Sequence, residues 1–226
     1  MIELWELRGK DDRRYSLFSW RTRMALRHKG LEFQTRPVLM GDKAAIAFSG
    51  GKTVPVLKDG DTVVRDSWKI AEYLEEKYPQ PSLFGGAIGH GLAQTYNAWA
   101  DRGLLAALFP SLVGDIHGRV DPGDQAYVRA NFEKIIGRTL EEAHAARAEG
   151  RKRFERAVEP MQAALKRQPW VCGQAPAYGD YILFSFLQWA RITSPEDLLA
   201  ADTPLHAWRE RMLDLYGGFA RNVTTA

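Results

Sequence analysis

Three short segments in the first third of the chain combine residue types that could bind a small polar molecule. Ser16 stands where a polar loop enters a helix-like segment. A hydroxyl there can donate to a thiolate, and the helix dipole would lower the pKa of that thiol. Val54-Pro55 lies within a strand-like run. If that peptide bond is cis, the Val54 N–H and C=O are free to pair with an extended peptide. An ordinary edge-strand proline also explains the pair.

The third segment, Asp66-Ser67, stands at the start of the next helix-like segment. The free N–H groups of a helix N-terminus bind carboxylates, Ser67 could add a hydroxyl, and Asp66 could hold an ammonium group. Such a pair fits the α-amino acid end of a ligand. Simple N-capping explains Ser16 and Asp66 equally well, so the three segments are informative only together.

The elements that must position these residues follow from the hydrophobic periodicity. Strand signals at 2–7, 33–39, 53–57 and 62–64 and helix signals at 19–29 and 67–78 predict a mixed α/β domain over residues 1–80. Glycines and prolines in 81–91 predict a linker. The remainder, 92–226, is predicted to be all-helical, with helices up to Pro110 and at 127–148, 154–165, 181–190 and 205–216.

Composition excludes several classes of function. The 226 residues include 31 basic and 28 acidic side chains, and a net charge of +3 is too small to indicate nucleic-acid binding. The chain shows no signal peptide and no long apolar run, and its single cysteine fits a reducing compartment, so we expect a cytoplasmic protein without a membrane span. Cys172 is predicted to be a small core filler. The histidines show no metal-ligand spacing, so no metal site is expected.

Taken together, the three segments resemble the glutathione transferase superfamily, and the resemblance spans essentially the whole chain. The pattern Ser16-x-Phe18-x-x-Arg21 is similar to the nucleophile position of omega-type and related bacterial transferases. Trp20-Arg21-Thr22 and Glu159-Pro160 look most like the bacterial lignin β-aryl-etherases and their fungal relatives. This resemblance implies a thioredoxin-like N-terminal domain that binds glutathione, followed by an all-helical domain for a hydrophobic co-substrate.

The resemblance also implies roles for individual residues. Val54 would pair with the cysteinyl part of glutathione, with Pro55 in cis, and Asp66 and Ser67 would receive its γ-glutamyl end. Lys52 would meet a glutathione carbonyl or carboxylate. Ser16 would donate a hydrogen bond to the thiolate, with Tyr15 and Ser19 as alternative donors. The predicted wall of the co-substrate pocket comes from helical positions that ordinary core packing would also explain, namely Tyr96, Trp99, Arg102, Leu105 and Phe109.

The function implied is a serine-type transferase that directs the glutathione thiolate at a hydrophobic, aromatic electrophile, in detoxification or in β-aryl ether cleavage. A homodimer is implied as well. Two other functions stay open: a non-catalytic carrier of aromatic molecules, and an isomerase that returns glutathione unchanged. The chain departs from the family at Leu17, where many relatives have proline, and at Ala177, where Ser or Thr is usual. Asp180 must therefore cap its helix alone, at an expected cost of about 1 kcal/mol.

Overall fold

The computed structural model describes all residues from Met1 to Ala226. Its N-terminal part contains four strands and two helices: β1 (Ile2–Leu7), α1 (Leu17–His28), β2 (Phe33–Val38), β3 (Val56–Asp59), β4 (Thr62–Arg65) and α2 (Ser67–Lys77). The strand order is β2-β1-β3-β4, with β1 parallel to β2 and the other neighbours antiparallel. The predicted thioredoxin-like domain is confirmed.

The hairpin between β3 and β4 follows from its turn residues. Gly60 has a φ of 60°, which is the left-handed conformation that glycine adopts without steric cost. Its register pairs Val56 with Arg65 and Asp59 with Thr62. This register brings the start of β3 beside the end of β4, so that the segments before β3 and after β4 lie at one edge of the domain.

The C-terminal part is entirely helical, as predicted. Its helices are α3 (Ala87–Trp99), α4 (Leu105–Arg119), α5 (Gln125–Ile136), α6 (Leu140–Ala145), α7 (Arg147–Leu165), α8 (Tyr178–Thr193) and α9 (Pro204–Gly218). Within α9, residues Leu215 to Gly217 depart from helical torsion angles.

Two predicted helix boundaries are wrong at the start of this part. The first helix begins at Ala87, inside the predicted linker. The helical segment also does not end at Pro110, which lies inside α4. Instead it passes through a π-helical turn, Ala100–Leu104, and continues to Arg119. Proline removes only one backbone donor, and Leu112 and Ile116 beyond it are buried in the core, which holds the helix together past that point.

The prediction of a single helix over residues 127–148 is also wrong, because α5 and α6 are separate helices. Gly137 adopts a φ of 68° and ends α5 in the left-handed conformation that stops many helices. Thr139 then caps α6 through a reciprocal pair of hydrogen bonds with Glu142. The following helix, α7, begins at Arg147 rather than at the predicted residue 154.

The two parts of the chain share one hydrophobic core, in which α1 packs against α8. The fully buried Arg21 of α1 bridges them: its guanidinium donates to Ser185 (3.3 Å), Asn97 (2.8 Å) and Asp101 (2.7 Å). A buried cation is costly unless it is paired and hydrogen-bonded. These three contacts therefore hold the start of α1 in a fixed position relative to the helical part.

The turn before α8 shows how the missing Ser or Thr is replaced. Ala177 offers no side-chain cap, and Asp180 accepts the Ala177 N–H (3.2 Å). The same carboxylate also accepts from the Val171 N–H (2.8 Å) and the Trp208 ring N–H (2.9 Å). Asp180 thus organises the whole turn and not only the helix end.

Cys172 lies in this turn, and the prediction that it fills the core is wrong. The residue is exposed, whereas its neighbour Val171 is 6% exposed. A backbone bridge between Trp170 and Gly173 makes the turn tight. Successive side chains in a tight turn point in different directions, so Val171 enters the core and Cys172 does not.

Candidate functional site

The residues predicted to bind glutathione line one cavity, here called the polar cleft. Its volume is about 580 Å³, and it lies between the edge of the sheet described above and helix α5. All six residues predicted for thiolate donation and glutathione binding line it: Ser16, Lys52, Val54, Pro55, Asp66 and Ser67. They come from three segments that the fold brings to one edge of the N-terminal domain.

The Val54-Pro55 segment gives the polar cleft an unpaired backbone edge. The peptide bond between the two residues is cis. Val54 precedes β3, and neither its N–H nor its C=O pairs with another backbone group. A backbone edge of this kind can hydrogen-bond an extended peptide as an additional strand would.

The start of α2 supplies a second polar wall. Asp66 has a φ of 75°, which is uncommon for a residue with a side chain and is typically retained at functional sites. One of its carboxylate oxygens, Oδ1, caps α2 by accepting the Trp68 N–H (2.9 Å) and the Lys69 N–H (3.1 Å). The other oxygen stays free to accept from a ligand ammonium group.

Ser67, which follows, is 3% exposed, and its hydroxyl makes no hydrogen bond within the chain. Its carbonyl accepts the hydroxyl of Tyr178 (2.8 Å), which ties the start of α2 to α8. The arrangement offers an unused hydroxyl at a helix N-terminus, where a carboxylate is stabilised, and an acid beside it. It could therefore hold both charged groups of an α-amino acid.

At the start of α1, Ser16 is placed to donate a hydrogen bond. It is the N-cap residue, and its Oγ accepts the Ser19 N–H at 3.3 Å, which leaves the hydroxyl hydrogen free. The first turn of α1 contains no acidic side chain. The positive end of the helix dipole is therefore unopposed, and an anion next to Ser16 is stabilised both by the hydroxyl and by the dipole.

A second cavity, the apolar pocket, adjoins the polar cleft. Its volume is about 270 Å³, and its wall is almost entirely hydrocarbon. Phe109 stacks on Trp189, with ring centres 6.1 Å apart and planes at 13°, and meets the ring of Phe132 edge-on at 5.0 Å. No Lys, Arg, His, Asp or Glu lines the pocket. Its chemistry suits a flat, uncharged group.

Six residues line both cavities: Leu7, Ser16, Phe18, Met40, Phe132 and Ile135. Ser16 is the only one of them with a polar side chain. The single hydroxyl at the junction therefore stands between the place for a polar ligand and the place for an apolar one.

The two alternative donors are placed differently from Ser16. Tyr15 lines the apolar pocket but not the polar cleft, and its hydroxyl has no partner. Burial, together with the charge of Asp124, raises the Tyr15 pKa, so this hydroxyl stays protonated. Ser19 is fully buried and lines neither cavity.

Of the predicted co-substrate residues, the structure brings only two helical ones to the pocket, Leu105 and Phe109. Tyr96 instead lines a separate cavity that contains Cys172, and Trp99 packs against Tyr96 with ring centres 5.9 Å apart. Arg102 is exposed and lines none of the cavities described. Steps of three residues drift by about 60° each around a regular helix, so these positions do not share one face. The wider π turn at Ala100–Leu104 also rotates α4 relative to α3.

Helix α5 contributes residues to the polar cleft that sequence reasoning missed. Tyr127, Asn131, Phe132 and Ile135 line it from the helical side. Nothing in the sequence marks them, because their spacing is that of any amphipathic helix. Lys43 and Lys52 also line the cleft, and neither forms an ion pair.

A carboxylate ties the two sides of the polar cleft together. Asp124, which precedes α5 and is 3% exposed, accepts the backbone N–H of Met40 (2.6 Å) and of Gly41 (2.9 Å). The ammonium group of Lys43 lies 5.4 Å from the ring centre of Tyr127, which is within cation–π distance. The loop after β2 is thus held against α5, and we call this contact the Asp124 latch.

Two family models match the sequence, one in the N-terminal part of the chain and one in the C-terminal part. Residues 15–77 match the family described as Glutathione S-transferase, N-terminal domain, and residues 91–214 match Glutathione S-transferase, C-terminal domain. The chain belongs to the glutathione S-transferase family. The matched residues include Ser16, Val54 and Asp66 of the polar cleft and the aromatic wall of the apolar pocket.

This chain spans about a third of the length of the similar sequences that it matches. Glutathione S-transferase Z1 of Arabidopsis thaliana is 43% identical over 83 residues, which cover 34% of this chain and 37% of that protein. Maleylacetoacetate isomerase of Pseudomonas aeruginosa is 42% identical over 77 residues, which cover 30% of this chain and 36% of that protein.

Solved structures match it over almost the whole chain. Glutathione transferase GSTFuA3 from Phanerochaete chrysosporium has a TM-score of 0.78 and 25% identity, covering 97% of this chain and 93% of its own. A glutathione S-transferase of Ceriporiopsis subvermispora, solved in complex with glutathione, has a TM-score of 0.77 and 20% identity, with 97% and 93% coverage. The second shows the shared fold alone.

Two further features are absent from the structure. No group of three or more His, Cys, Asp or Glu side chains is arranged so that it could hold a metal ion. None of the helices combines the length and the apolar character that crossing a bilayer requires.

Proposed function

We propose that this protein is a serine-type glutathione transferase in which Ser16 activates the thiol of glutathione for attack on an electrophile whose reacting end is an uncharged aromatic group. The observation that supports this most is the position of Ser16, the one polar side chain shared by the polar cleft and the apolar pocket. A reaction between two bound substrates requires an activating group where their sites meet.

In this proposal glutathione lies extended along the polar cleft. Its cysteinyl backbone pairs with the free N–H and C=O of Val54, and its γ-glutamyl carboxylate and ammonium meet Ser67 and Asp66 respectively. Lys52, which lines the same cleft and forms no ion pair, is available for a carbonyl or carboxylate of glutathione. The thiol then reaches the N-terminus of α1.

The chemistry follows from the charge that develops on sulfur. The thiol proton is lost to solvent, and the thiolate accepts the Ser16 hydroxyl hydrogen bond next to the positive end of α1. Lowering a thiol pKa from about 8.5 by about two units raises the thiolate fraction at neutral pH more than tenfold. The sulfur then forms a bond to the electrophilic carbon, and the leaving group departs with its bonding electrons.

The aromatic wall of the apolar pocket supports the choice of electrophile. Phe109, Phe132 and Trp189 offer both face and edge contacts to a flat ring, and no charged side chain competes for it. Aryl ethers, as in the lignin etherases that the sequence resembles, are one such class of substrate to test. With benzyl isothiocyanate the thiolate adds to the central carbon and the nitrogen takes up a proton, so no group leaves. Mass spectrometry should show this adduct forming faster than in the same mixture without protein, and no acceleration over the uncatalysed reaction with several neutral aryl electrophiles would contradict the proposal.

An isomerase is the second candidate, because relatives of the zeta class, including the maleylacetoacetate isomerase, match about a third of the chain. Maleylacetoacetate carries a carboxylate directly on the double bond that isomerises. The apolar pocket beside Ser16 contains no cation that could receive this carboxylate. Product analysis distinguishes the two, because an isomerase returns glutathione unchanged whereas a transferase consumes it.

A non-catalytic carrier would use the same two cavities but would need no thiolate donor. Replacing Ser16 by alanine separates these functions. A transferase loses activity in this variant, and a carrier retains its affinity for aromatic ligands and has no activity to lose.

We also propose that the protein is a homodimer, as the family resemblance implies. Two exposed apolar side chains on one face of α3 support this: Ile88 is 83% exposed and Leu92, one turn further on, is 60% exposed. Adjacent exposed apolar residues favour a protein interface. Sedimentation velocity should give twice the chain mass, and the double variant Ile88→Asp, Leu92→Asp should shift the protein toward the monomer. A wild-type protein that sediments as a monomer would contradict this proposal.

A further inference from the structure

The apolar pocket continues beyond the place where the thiol would react. A third cavity of about 440 Å³, here called the distal cavity, shares Leu105, Phe109 and Ile135 with it. Ile135 lines the polar cleft as well. The three cavities therefore adjoin one another: Ser16 lines the first two, and Phe109 lines both the apolar pocket and the distal cavity.

The distal cavity contains an arginine that has no partner. Arg138 follows Gly137, whose left-handed conformation turns the chain at the end of α5 and places Arg138 in the cavity wall. The side chain is half-buried, and its guanidinium forms no hydrogen bond and no ion pair in the structure. A guanidinium held in this way keeps its five N–H donors available for a planar oxyanion.

The acidic groups around Arg138 are already engaged elsewhere. Asp101, which also lines the distal cavity, accepts hydrogen bonds from Arg21 (2.7 Å) and Asn97 (3.1 Å). Glu142 accepts the Thr139 N–H (2.9 Å) and hydroxyl (3.0 Å) in the cap of α6. The unpaired charge in the distal cavity is therefore positive, whereas the apolar pocket that leads to it has none.

We propose that Arg138 is a distal anion subsite, and that the co-substrate is an elongated aromatic molecule with a carboxylate or similar oxyanion at the end remote from its reactive carbon. The proposal rests on the transferase function, because the reactive end is defined by the thiolate at Ser16. The ring lies against Phe109 and Phe132, and the anionic end passes Ile135 to reach Arg138.

A matched pair of fluorescent probes tests this subsite. Anilinonaphthalene sulfonate and N-phenyl-1-naphthylamine have the same ring skeleton, and only the first carries an anionic group. We expect Arg138→Gln to weaken the sulfonate about tenfold and to change the neutral probe less than about twofold. The matched control is Arg102→Gln, which removes the same charge from an exposed residue outside the cavities and should leave both affinities unchanged.

The outcomes separate this proposal from the transferase function. Equal sulfonate affinity in wild type and Arg138→Gln would overturn the anion subsite, and so would an equal loss in both arginine variants, which would indicate only a general effect of charge. S-hexylglutathione should displace both probes from the wild-type protein. If it does not displace them while Arg138→Gln still selectively weakens the sulfonate, the subsite stands and the proposed glutathione site fails.

Discussion

The two sides of the candidate site are built in different ways. The N-terminal side uses short local segments, each with a fixed backbone and a polar group that lines the polar cleft, as at Ser16, Val54 and Asp66. The helical side presents apolar side chains such as Phe109 and Trp189, which come from helices that are distant in the sequence. Under the proposed function, recognition of glutathione depends on single atoms, whereas recognition of the second substrate depends on shape and hydrophobic contact.

This difference predicts two kinds of response to mutation. A change on the N-terminal side should affect every reaction of the proposed transferase, because under this proposal glutathione takes part in all of them. A change on the helical side should alter the preference among electrophiles and leave glutathione binding intact. The predictions below test this division, beginning with the largest expected effect.

Loss of the Asp66 charge should have the largest effect on binding. Asp66→Ala removes the free carboxylate oxygen and the cap of α2, so we expect about a 10- to 100-fold loss of glutathione affinity and a stability loss of about 1 kcal/mol. Asp66→Asn keeps the cap and removes the charge. Calorimetry should therefore show weak glutathione binding for both variants, with near-normal thermal stability for the amide. Normal affinity in Asp66→Asn would show that the carboxylate does not contact glutathione.

Breaking the Asp124 latch should disturb both sides of the cleft at once. Asp124→Ala leaves the N–H groups of Met40 and Gly41 without partners, and we expect a loss of about 2–3 kcal/mol in the free energy of unfolding. Because Met40 lines both cavities, the KM for glutathione and for the electrophile should rise together. Denaturant unfolding and steady-state kinetics measure the two effects. A rise in only one KM would contradict the role of the latch as a link between the two sides.

A change confined to the apolar pocket should affect the second substrate alone. Phe109→Leu keeps a hydrophobic side chain but removes the ring that stacks on Trp189, at a cost of about 1 kcal/mol in aromatic contacts. We expect about a fivefold higher KM for an aryl electrophile and an unchanged affinity for glutathione. If glutathione affinity fell to the same extent, the division between the two sides would not hold.

Replacing Cys172 should have the smallest effect on activity. Its thiol contrasts with the thiol of glutathione in the proposed mechanism. Although the residue as a whole is exposed, its sulfur lies beside Asp180 and is shielded from solvent, and this desolvation, followed by the negative charge of Asp180, raises the pKa of the Cys172 thiol. A raised pKa lowers the thiolate fraction at every pH below it. Alkylation by iodoacetamide should therefore be slower than for the urea-unfolded chain, and its rate should still be rising at about pH 9. Cys172→Ser should leave transferase activity unchanged, and a loss of activity would implicate this thiol in the reaction.

The N-terminal side and the helical side also differ in how much of each could be predicted from the sequence. Ser16, Val54 and Asp66 are identifiable because each lies at a helix start or a strand start that neighbouring residues mark by turn and capping signals. Their chemistry depends on backbone conformation within a few residues. The N-terminal fold is accessible from the sequence for that reason, whereas the binding roles of the six predicted residues of the polar cleft rest on the family resemblance and stay predictions.

The residues that line the site on the helical side could not be predicted in this way. Tyr96, Trp99, Arg102 and Leu105 follow one another in steps of three residues, which drift by about 60° per step around a regular helix, so these positions do not share one face. The π turn at Ala100–Leu104 changes the direction of α4 further. The contribution of α5 depends on the latch at Asp124, a contact between residues more than eighty positions apart. Tertiary contacts of this kind leave no periodic signal in a single sequence.

The measurement that tests the central claim most directly is the titration of the glutathione thiol bound to wild type, to Ser16→Ala and to Ser19→Ala. Ultraviolet absorbance reports the thiolate between about pH 5 and 9, and calorimetry confirms that glutathione is bound. The account predicts a bound-thiol pKa about two units below the free value in wild type and in Ser19→Ala, and a rise of about one unit in Ser16→Ala. Bound glutathione with the same thiol pKa in wild type and Ser16→Ala would contradict it.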